Sequence, residues 1–557
     1  MLLELDNSGL NSKDIPQYWL DLAEQVNKDA TNFEKWEELI NVSELIPTSN
    51  RKYTTKISKL SSAVHKKLLC IAYENVLVQF PYLEQYWCNY AQWLYLFGNT
   101  NKATDVYNRA ISILPKSIII WKNYLQFSSE TLLSFDQLAP VFEQSRLAVG
   151  HHFYSHLIYD QYLDFLKLYN KTKEYHYLVR RVIELPIYHY AKYFREFFNL
   201  LEAANLETIK YLISKEDLSK NYQQKWADLI DRPSKNKATI ETQTKQQAQP
   251  QAQLQQQQQS KSAMTELKID LRKRYIDLYI TTQYYVFQIW QFESKITHPY
   301  FHPTSELTRD ELNTWNKYLS YLETNNLKVN INSSNQVANS ILSSQNQELV
   351  VIAYERCLIA TAQYPFFWLK FSNFWMNLNM IDKAIDVLIR GIWSCPITHV
   401  KLRLRLIDLL ILNKDLTNAR TVALELCNIY PNLVDAFSKL LQVEQLMWNG
   451  QGGSKLIKLV ESKLDEVKGT PFEESFDCMF GILLNYSCIS ISALEKFFEK
   501  YVNVKSSKYF WKAYLDFYFL YNQNPEQLQK IIGIAREKQV DSNLLSRYIN
   551  DIEDVYF

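Results

Sequence analysis

The chain has 557 residues, 47% hydrophobic and 14% aromatic, with only 10 glycines and a formal net charge of +1. That length admits about two to four ordinary domains or one long repeat array. Glycine falls far under the usual ~7%, which excludes most turn-rich β folds and any glycine-lined phosphate loop, and neutrality removes a global electrostatic reason to seek nucleic acid or anionic lipid.

The first helical unit is predicted over residues 20–43, with Trp36, Leu39 and Val42 on one stripe. A polar break follows at 47–53, then a helix over 57–79. Residues 72–115 carry the pattern that recurs along the chain, and residues 353–396 repeat it: Ala72-Tyr73-Glu74 falls on Ala353-Tyr354-Glu355, Trp87 on Trp368, Ala103 on Ala384, Arg109 on Arg390 and Pro115 on Pro396. Each copy opens with aromatics at i, i+3 and i+6, namely Trp87, Tyr90 and Trp93, then Trp368, Phe371 and Phe374. At about 100° per residue these share one helix face. Its second helix carries Ala103, Val106, Tyr107, Ala110, Ile111 and Leu114, matched by Ala384, Val387, Leu388, Gly391, Ile392 and Cys395. Small Ala or Gly at the first and fourth of these positions lets a neighbouring helix approach. Pro115 and Pro396 end the helix, because proline supplies no N–H and clashes with the preceding turn.

The triplet returns at Trp121, Tyr124 and Phe127 and at Tyr159, Tyr162 and Phe165, and a helix over 174–184 stops before Pro186. Composition changes at residues 231–262, where glutamines replace large apolar residues. Such a segment cannot bury enough surface to offset its ordering entropy, so it is expected to be a disordered linker between an N-terminal array, residues 1–230, and a C-terminal array, residues 263–557. The second array is predicted to open with a helix over 264–296. Thr308 and Glu311 have capping-box spacing, Trp315, Tyr318 and Tyr321 form another triplet, and the Asn/Ser-rich residues 325–347 are expected to be a mobile insertion. Helices continue over 401–412 and 418–430, a break falls at 449–454, and Trp511, Tyr514 and Phe517 give the last triplet. Triplets and prolines at this spacing predict an all-α solenoid of stacked helical hairpins, each closing its core only against its neighbours.

This pattern approaches the tetratricopeptide (TPR) repeat, whose period is ~34 residues, but lacks its Trp-x2-Leu-Gly-x2-Tyr signature. The Trp-x2-Tyr-x2-Phe triplet, followed by an Ala- and Arg-bearing second helix and a proline, resembles the half-a-TPR (HAT) repeat of RNA-processing proteins. Within that class the chain resembles the pre-mRNA-processing factor 39 and 42 family, HAT-repeat subunits of the U1 small nuclear ribonucleoprotein (U1 snRNP). The resembling residues are Phe80-Pro81-Tyr82-Leu83-Glu84, Val149-Gly150-His151, Glu184-Leu185-Pro186-Ile187-Tyr188, and Trp290-Gln291-Phe292-Glu293-Ser294-Lys295-Ile296 with Pro299-Tyr300-Phe301. A short N-terminal lead and the lack of a long C-terminal tail favour the factor 42 branch. The resemblance implies two HAT arrays and dimerisation through the C-terminal one, with a paralogous subunit or a second copy. It further implies a nuclear splicing scaffold bound to U1 snRNP proteins in the particle that recognises the 5′ splice site, touching U1 snRNA and pre-mRNA mostly indirectly. The alternative is a HAT scaffold of another RNA-processing complex, for 3′ ends or ribosomal RNA, with direct RNA contact.

Other chemistry is sparse. The seven cysteines (Cys70, Cys88, Cys357, Cys395, Cys427, Cys478, Cys488) stand singly and read as reduced core residues of an intracellular protein. His151, His152 and His156 lie close together, but no further ligand falls at useful spacing, so structural packing is the reading adopted. No HExxH, P-loop or GxSxG occurs, so no enzyme activity, cofactor or metal is expected. Basic patches at Arg51-Lys52 through Lys59, at Arg180-Arg181 and at Arg272-Lys273-Arg274 read as solvated helix faces. The N-terminus lacks a basic n-region and no apolar run approaches ~18 residues, so neither a secretory signal nor a membrane span is expected.

Overall fold

The computed structural model describes residues 15–47, 54–213, 249–327, 336–448 and 452–556. It is built of α-helices, with one antiparallel ribbon between Leu45–Pro47 and Thr54–Lys56 flanking the polar break. The chain separates into two compact units, Met1–Thr361 and Ala362–Phe557.

In the first unit the predicted opening helix is two, Gln17–Lys28 and Phe33–Glu44. Asn32 divides them, its side chain accepting from the backbone N–H of Lys35 at the second helix's start, as an N-cap residue does. The next helix begins at Ala63, because the Ser62 hydroxyl accepts from His65 N–H and caps it there. Glu84–Leu96 with Thr100–Ile113, Ile118–Thr131 with Phe135–Val149, and His156–Leu168 with Thr172–Ile183 follow as hairpins.

Tyr190–Ala203 opens a further hairpin, and its second helix comes from across the glutamine-rich segment. Helix Gln249–Glu293 lies against it: Phe197 meets Tyr275 at 4.4 Å between ring centroids, and Phe194 meets Tyr279 at 5.1 Å. Leu267, Leu271, Tyr275 and Leu278 belong to the same buried cluster as Phe142, Tyr159 and Val179. The helix expected to open the second array is therefore part of the first array's core. It also starts at Gln249 rather than 264; glutamine is a good helix former, and the run extends a helix already held by packing. The rest of the expected linker, 231–248, lies outside the described residues. Helices Arg309–Leu327 and Gln336–Ala360 complete the unit, so residues 336–347 of the expected insertion are helical and 328–335 lie outside the described residues.

The second unit runs from Pro365–Asn377 and Ile381–Ser394 through Val400–Leu412, Leu416–Ile429, Val434–Met447 and Gly453–Val467. It ends with Ile491–Tyr501, Lys508–Asp516, Pro525–Glu537 and Ser542–Tyr556.

One turn recurs in both units. Gly98, Asn170, Asn379, Lys414, Gln523 and Gln539 all have positive φ, between 47° and 85°, and each sits between the end of one helix and the start of the next. The backbone N–H that follows reaches back to the last turn, as from Lys171 to Leu166 O at 2.9 Å and from Asp415 to Leu410 O at 2.9 Å. This is the left-handed helix stop that glycine makes without steric cost; five of these six positions lack glycine.

Candidate functional site

The hairpins share a side-chain arrangement centred on the first-helix tryptophan. The indole N–H of Trp36, Trp87, Trp121 and Trp368 donates to a backbone carbonyl in the loop before its own helix, that of Ala30, Pro81, Pro115 and Ala362 respectively, each at 2.9 Å. A cation on a second helix, or in the last case just past its end, lies over the ring: Arg109 over Trp87 at 5.8 Å, Arg356 over Trp315 at 5.6 Å, Arg390 over Trp368 at 5.6 Å and Lys538 over Trp511 at 6.0 Å. The small residue beneath is demanded by space, since a Cβ on Gly391 would lie 2.8 Å from the Trp368 ring. Arg109 also makes two bonds to Glu74, at 2.8 and 2.6 Å, and Tyr90 donates to the same carboxylate at 2.9 Å. Burial pushes the Glu74 carboxyl up, but these bonds outweigh it and its pKa is lowered.

Of the aromatics singled out by spacing, Trp36, Trp87, Tyr90, Trp121, Phe127, Tyr159, Trp315, Tyr318, Trp368, Phe371, Trp511, Tyr514 and Phe517 are buried. Tyr124 and Tyr162 are half-buried. Tyr124 meets Tyr107 and Tyr162 meets Phe142.

A second constellation was visible in the sequence only through its Thr308–Glu311 capping-box spacing. After helix Gln249–Glu293 the chain is gathered by Glu311, whose carboxylate accepts from the backbone N–H of Thr297 and His298, both at 3.2 Å, and of Thr308 at 3.4 Å. Glu311 N–H donates to Thr308 Oγ at 3.3 Å, completing the capping box. Burial raises the carboxyl, but hydrogen bonds from Thr297, His298 and Thr308 dominate and hold it at about 2. The gathered loop lies against the first repeats, Phe301 on Tyr82 at 6.2 Å and His302 on Phe33 at 5.4 Å. Glu293 and Arg356 form a buried two-bond ion pair, and Arg356 lies over Tyr154 at 5.3 Å. Glu84, buried at the start of its helix, is pushed up to about 7 by burial, against the Ser117 bond and the Arg356 charge. His151 Nδ1 stands 2.9 Å from Glu348. The family-like residues between 290 and 301 thus hold the unit's last helices to its first ones.

The remaining candidates are in structural positions. Burial pushes the thiols of Cys88 and Cys395 up to about 12 and Cys427 to about 11, which leaves them un-ionised and poorly nucleophilic near neutrality. His152 is buried and lowered well below its usual range by that burial, while burial and the neighbouring His189 lower His156 to about 4. Among the described residues no cluster of His, Cys, Asp and Glu is arranged to hold a metal, and no helix is long and apolar enough to cross a membrane. In the basic patches, Arg180 is buried against Tyr177 and Arg272 pairs with Glu202 at 2.7 Å; Arg51 and Lys52 lie outside the described residues.

Elsewhere in the first unit an open trough of about 600 Å³ lies between Tyr188 and Tyr190 and the outer face of helix Gln249–Glu293, where Gln283, Tyr284, Phe287 and Trp290 line it.

A family model described as the PRP39 N-terminal HAT repeat matches residues 20–199, and one described as the PRP39 C-terminal HAT repeat matches residues 287–446. Pre-mRNA-processing factor 39 of Schizosaccharomyces pombe is 26% identical over 363 residues, 64% of this chain and 51% of that protein. The U1 small nuclear ribonucleoprotein component PRP42 of Saccharomyces cerevisiae is 25% identical over 363 residues, 64% of this chain and 57% of that protein. The chain thus spans about half the length of the curated relatives it matches. Among solved structures, the crystal structure of CSTF-77 overlays with a TM-score of 0.36 at 10% identity, covering 85% of this chain and 96% of that one.

Proposed function

The chain belongs to the PRP39 HAT-repeat family, and from that membership we propose that it is a non-enzymatic scaffold subunit of the U1 snRNP. It acts in the nucleus, in pre-mRNA splicing, within the particle that recognises the 5′ splice site. The observation that carries this reading is that both halves match the family's two array types in order, among relatives named as U1 snRNP and pre-mRNA-processing proteins.

The mechanism is rigid presentation. Stacked hairpins offer a long surface on which several partner segments bind at once, and the latched Trp36, Trp87, Trp121 and Trp368 hold their hairpins in register. The C-terminal array dimerises, with a paralogous HAT subunit or with a second copy. Contacts to U1 snRNA and pre-mRNA run mostly through partner proteins, because cations such as Arg109, Arg272 and Arg356 are engaged in ion pairs within the chain.

Purification of the tagged chain with and without ribonuclease tests this. Recovery of U1 proteins in both preparations, with U1 RNA in the untreated one, is expected. Recovery of 3′-end or ribosomal-RNA processing factors instead, or loss of every partner on ribonuclease treatment, overturns it. Sedimentation of the chain alone and with its candidate paralogue reads the dimer.

A further inference from the structure

Helix Gln249–Glu293 is apolar on two opposite faces. One face, with Leu271, Tyr275, Leu278 and Ile289, is buried in the core. Its opposite face shows Ile280, Tyr284, Phe287 and Trp290 to solvent, at 57, 60, 54 and 45% exposure. A helix covered on one side only carries polar residues on the other. Here the outer face forms one wall of the trough, and Tyr188, itself 41% exposed, stands on the other.

We propose that this trough binds an uncharged, proline-rich segment of a partner protein in the extended polyproline conformation. No lining side chain is charged. A charged peptide would lose hydration there without compensation, and single-stranded RNA needs a cationic groove for its backbone beside its stacking rings. Polyproline carries no internal hydrogen bonds, so its carbonyls are free. The Tyr188 and Tyr284 hydroxyls, the Trp290 N–H and the Gln283 amide are the donors such carbonyls take, while the aromatic faces receive the pyrrolidine rings. An α-helical partner would have its own carbonyls occupied and would leave those donors unmatched. The lengths agree: Ile280 to Trp290 covers ~15 Å at 1.5 Å per helical residue, and about five polyproline residues cover the same span at ~3.1 Å each.

The proposal goes beyond the scaffold reading and its test does not involve the U1 particle, so either can fail alone. Fluorescein-labelled decaproline is titrated into the full chain and followed by anisotropy, against a Gly-Ser peptide of equal length and an oligouridine RNA. Saturable binding of decaproline alone is expected, weakened about tenfold or more by Trp290→Ala, as for removal of an anchoring aromatic. Tyr284→Phe keeps the ring and removes only a donor from a solvent-facing position. It is expected to weaken binding while leaving the urea transition unchanged, which separates a lost contact from a lost fold. The proposal is overturned by decaproline binding no better than Gly-Ser, by wild-type affinity in both variants, by oligouridine binding that Trp290→Ala removes, or by self-association of the chain that Phe287→Glu abolishes.

Discussion

Trp368 and Trp511 offer a comparison in which nearly everything cancels. Both are fully buried in the same unit, at 0% exposure, and each lies under a cation. They differ in one group: Trp368 N–H is bonded to Ala362 O at 2.9 Å, whereas Trp511 N–H has no hydrogen-bond partner among the described residues. Replacing each with Phe removes a similar apolar volume, so that loss is shared. At position 368 a hydrogen bond worth about 0.5–1.5 kcal/mol disappears, while at 511 an unsatisfied buried donor worth about 1–3 kcal/mol is relieved. Trp368→Phe is therefore expected to cost about 1.5–4.5 kcal/mol more than Trp511→Phe. Urea unfolding of the full chain, followed by circular dichroism and read as the shift of the transition reporting this unit, measures the difference. Equal costs, or a larger cost at 511, would refute the assignment of the indole–loop bond as a stabilising part of the repeat.

Four further outcomes follow from the same geometry. Glu311 titrates at about 2 in the folded chain against an ordinary 4.5, so its contribution is complete above about 4.5 and lost as pH falls towards 2. Glu311→Gln should cost on the order of 3 kcal/mol at neutral pH, and acid titration of stability should bring variant and parent together near the lower value. Lys414 holds φ at 62°, so Lys414→Gly should raise stability by about 0.5–1 kcal/mol in urea melts, the strain relieved exceeding the entropy glycine adds. Glu293→Gln or Arg356→Met alone should cost about 3–5 kcal/mol, because each leaves a buried charge unpaired, while the double variant costs far less than their sum; an additive double-mutant cycle would contradict the buried pair. A fragment ending at residue 230 should unfold at lower urea than one ending at Thr361, since Leu267, Leu271, Tyr275 and Leu278 are missing from its core, at about 1.5–3 kcal/mol each.

The hairpins were legible because their signal is local. Rings at i, i+3 and i+6 share a face whatever lies beyond the helix, and Trp87, Trp121, Trp368 and Trp511 are buried. Helix starts were less legible where a cap decides them: Ser62 and Asn32 set the beginnings of their helices by single hydrogen bonds, which hydrophobic periodicity does not register. The left-handed stops at Asn170, Asn379, Lys414, Gln523 and Gln539 escaped because glycine is the usual marker and these positions lack it. The Glu293–Arg356 pair joins residues far apart in sequence, and nothing in either neighbourhood names the partner.

The pairing of Tyr190–Ala203 with Gln249–Glu293 failed to show for a related reason. A composition change signals where a chain stops burying surface, but not which helices pair across the gap. Here the helices Tyr190–Ala203 and Gln249–Glu293, distant in sequence, form one hairpin, and the rings Phe194, Phe197, Tyr275 and Tyr279 close it. The consequence reaches the functional surface. Because Gln249–Glu293 is held from behind by that core, its outward rings at 284, 287 and 290 stand on a fixed support. An aromatic platform on a packed helix presents a partner with a preformed face, and the ordering cost of binding falls on the partner alone.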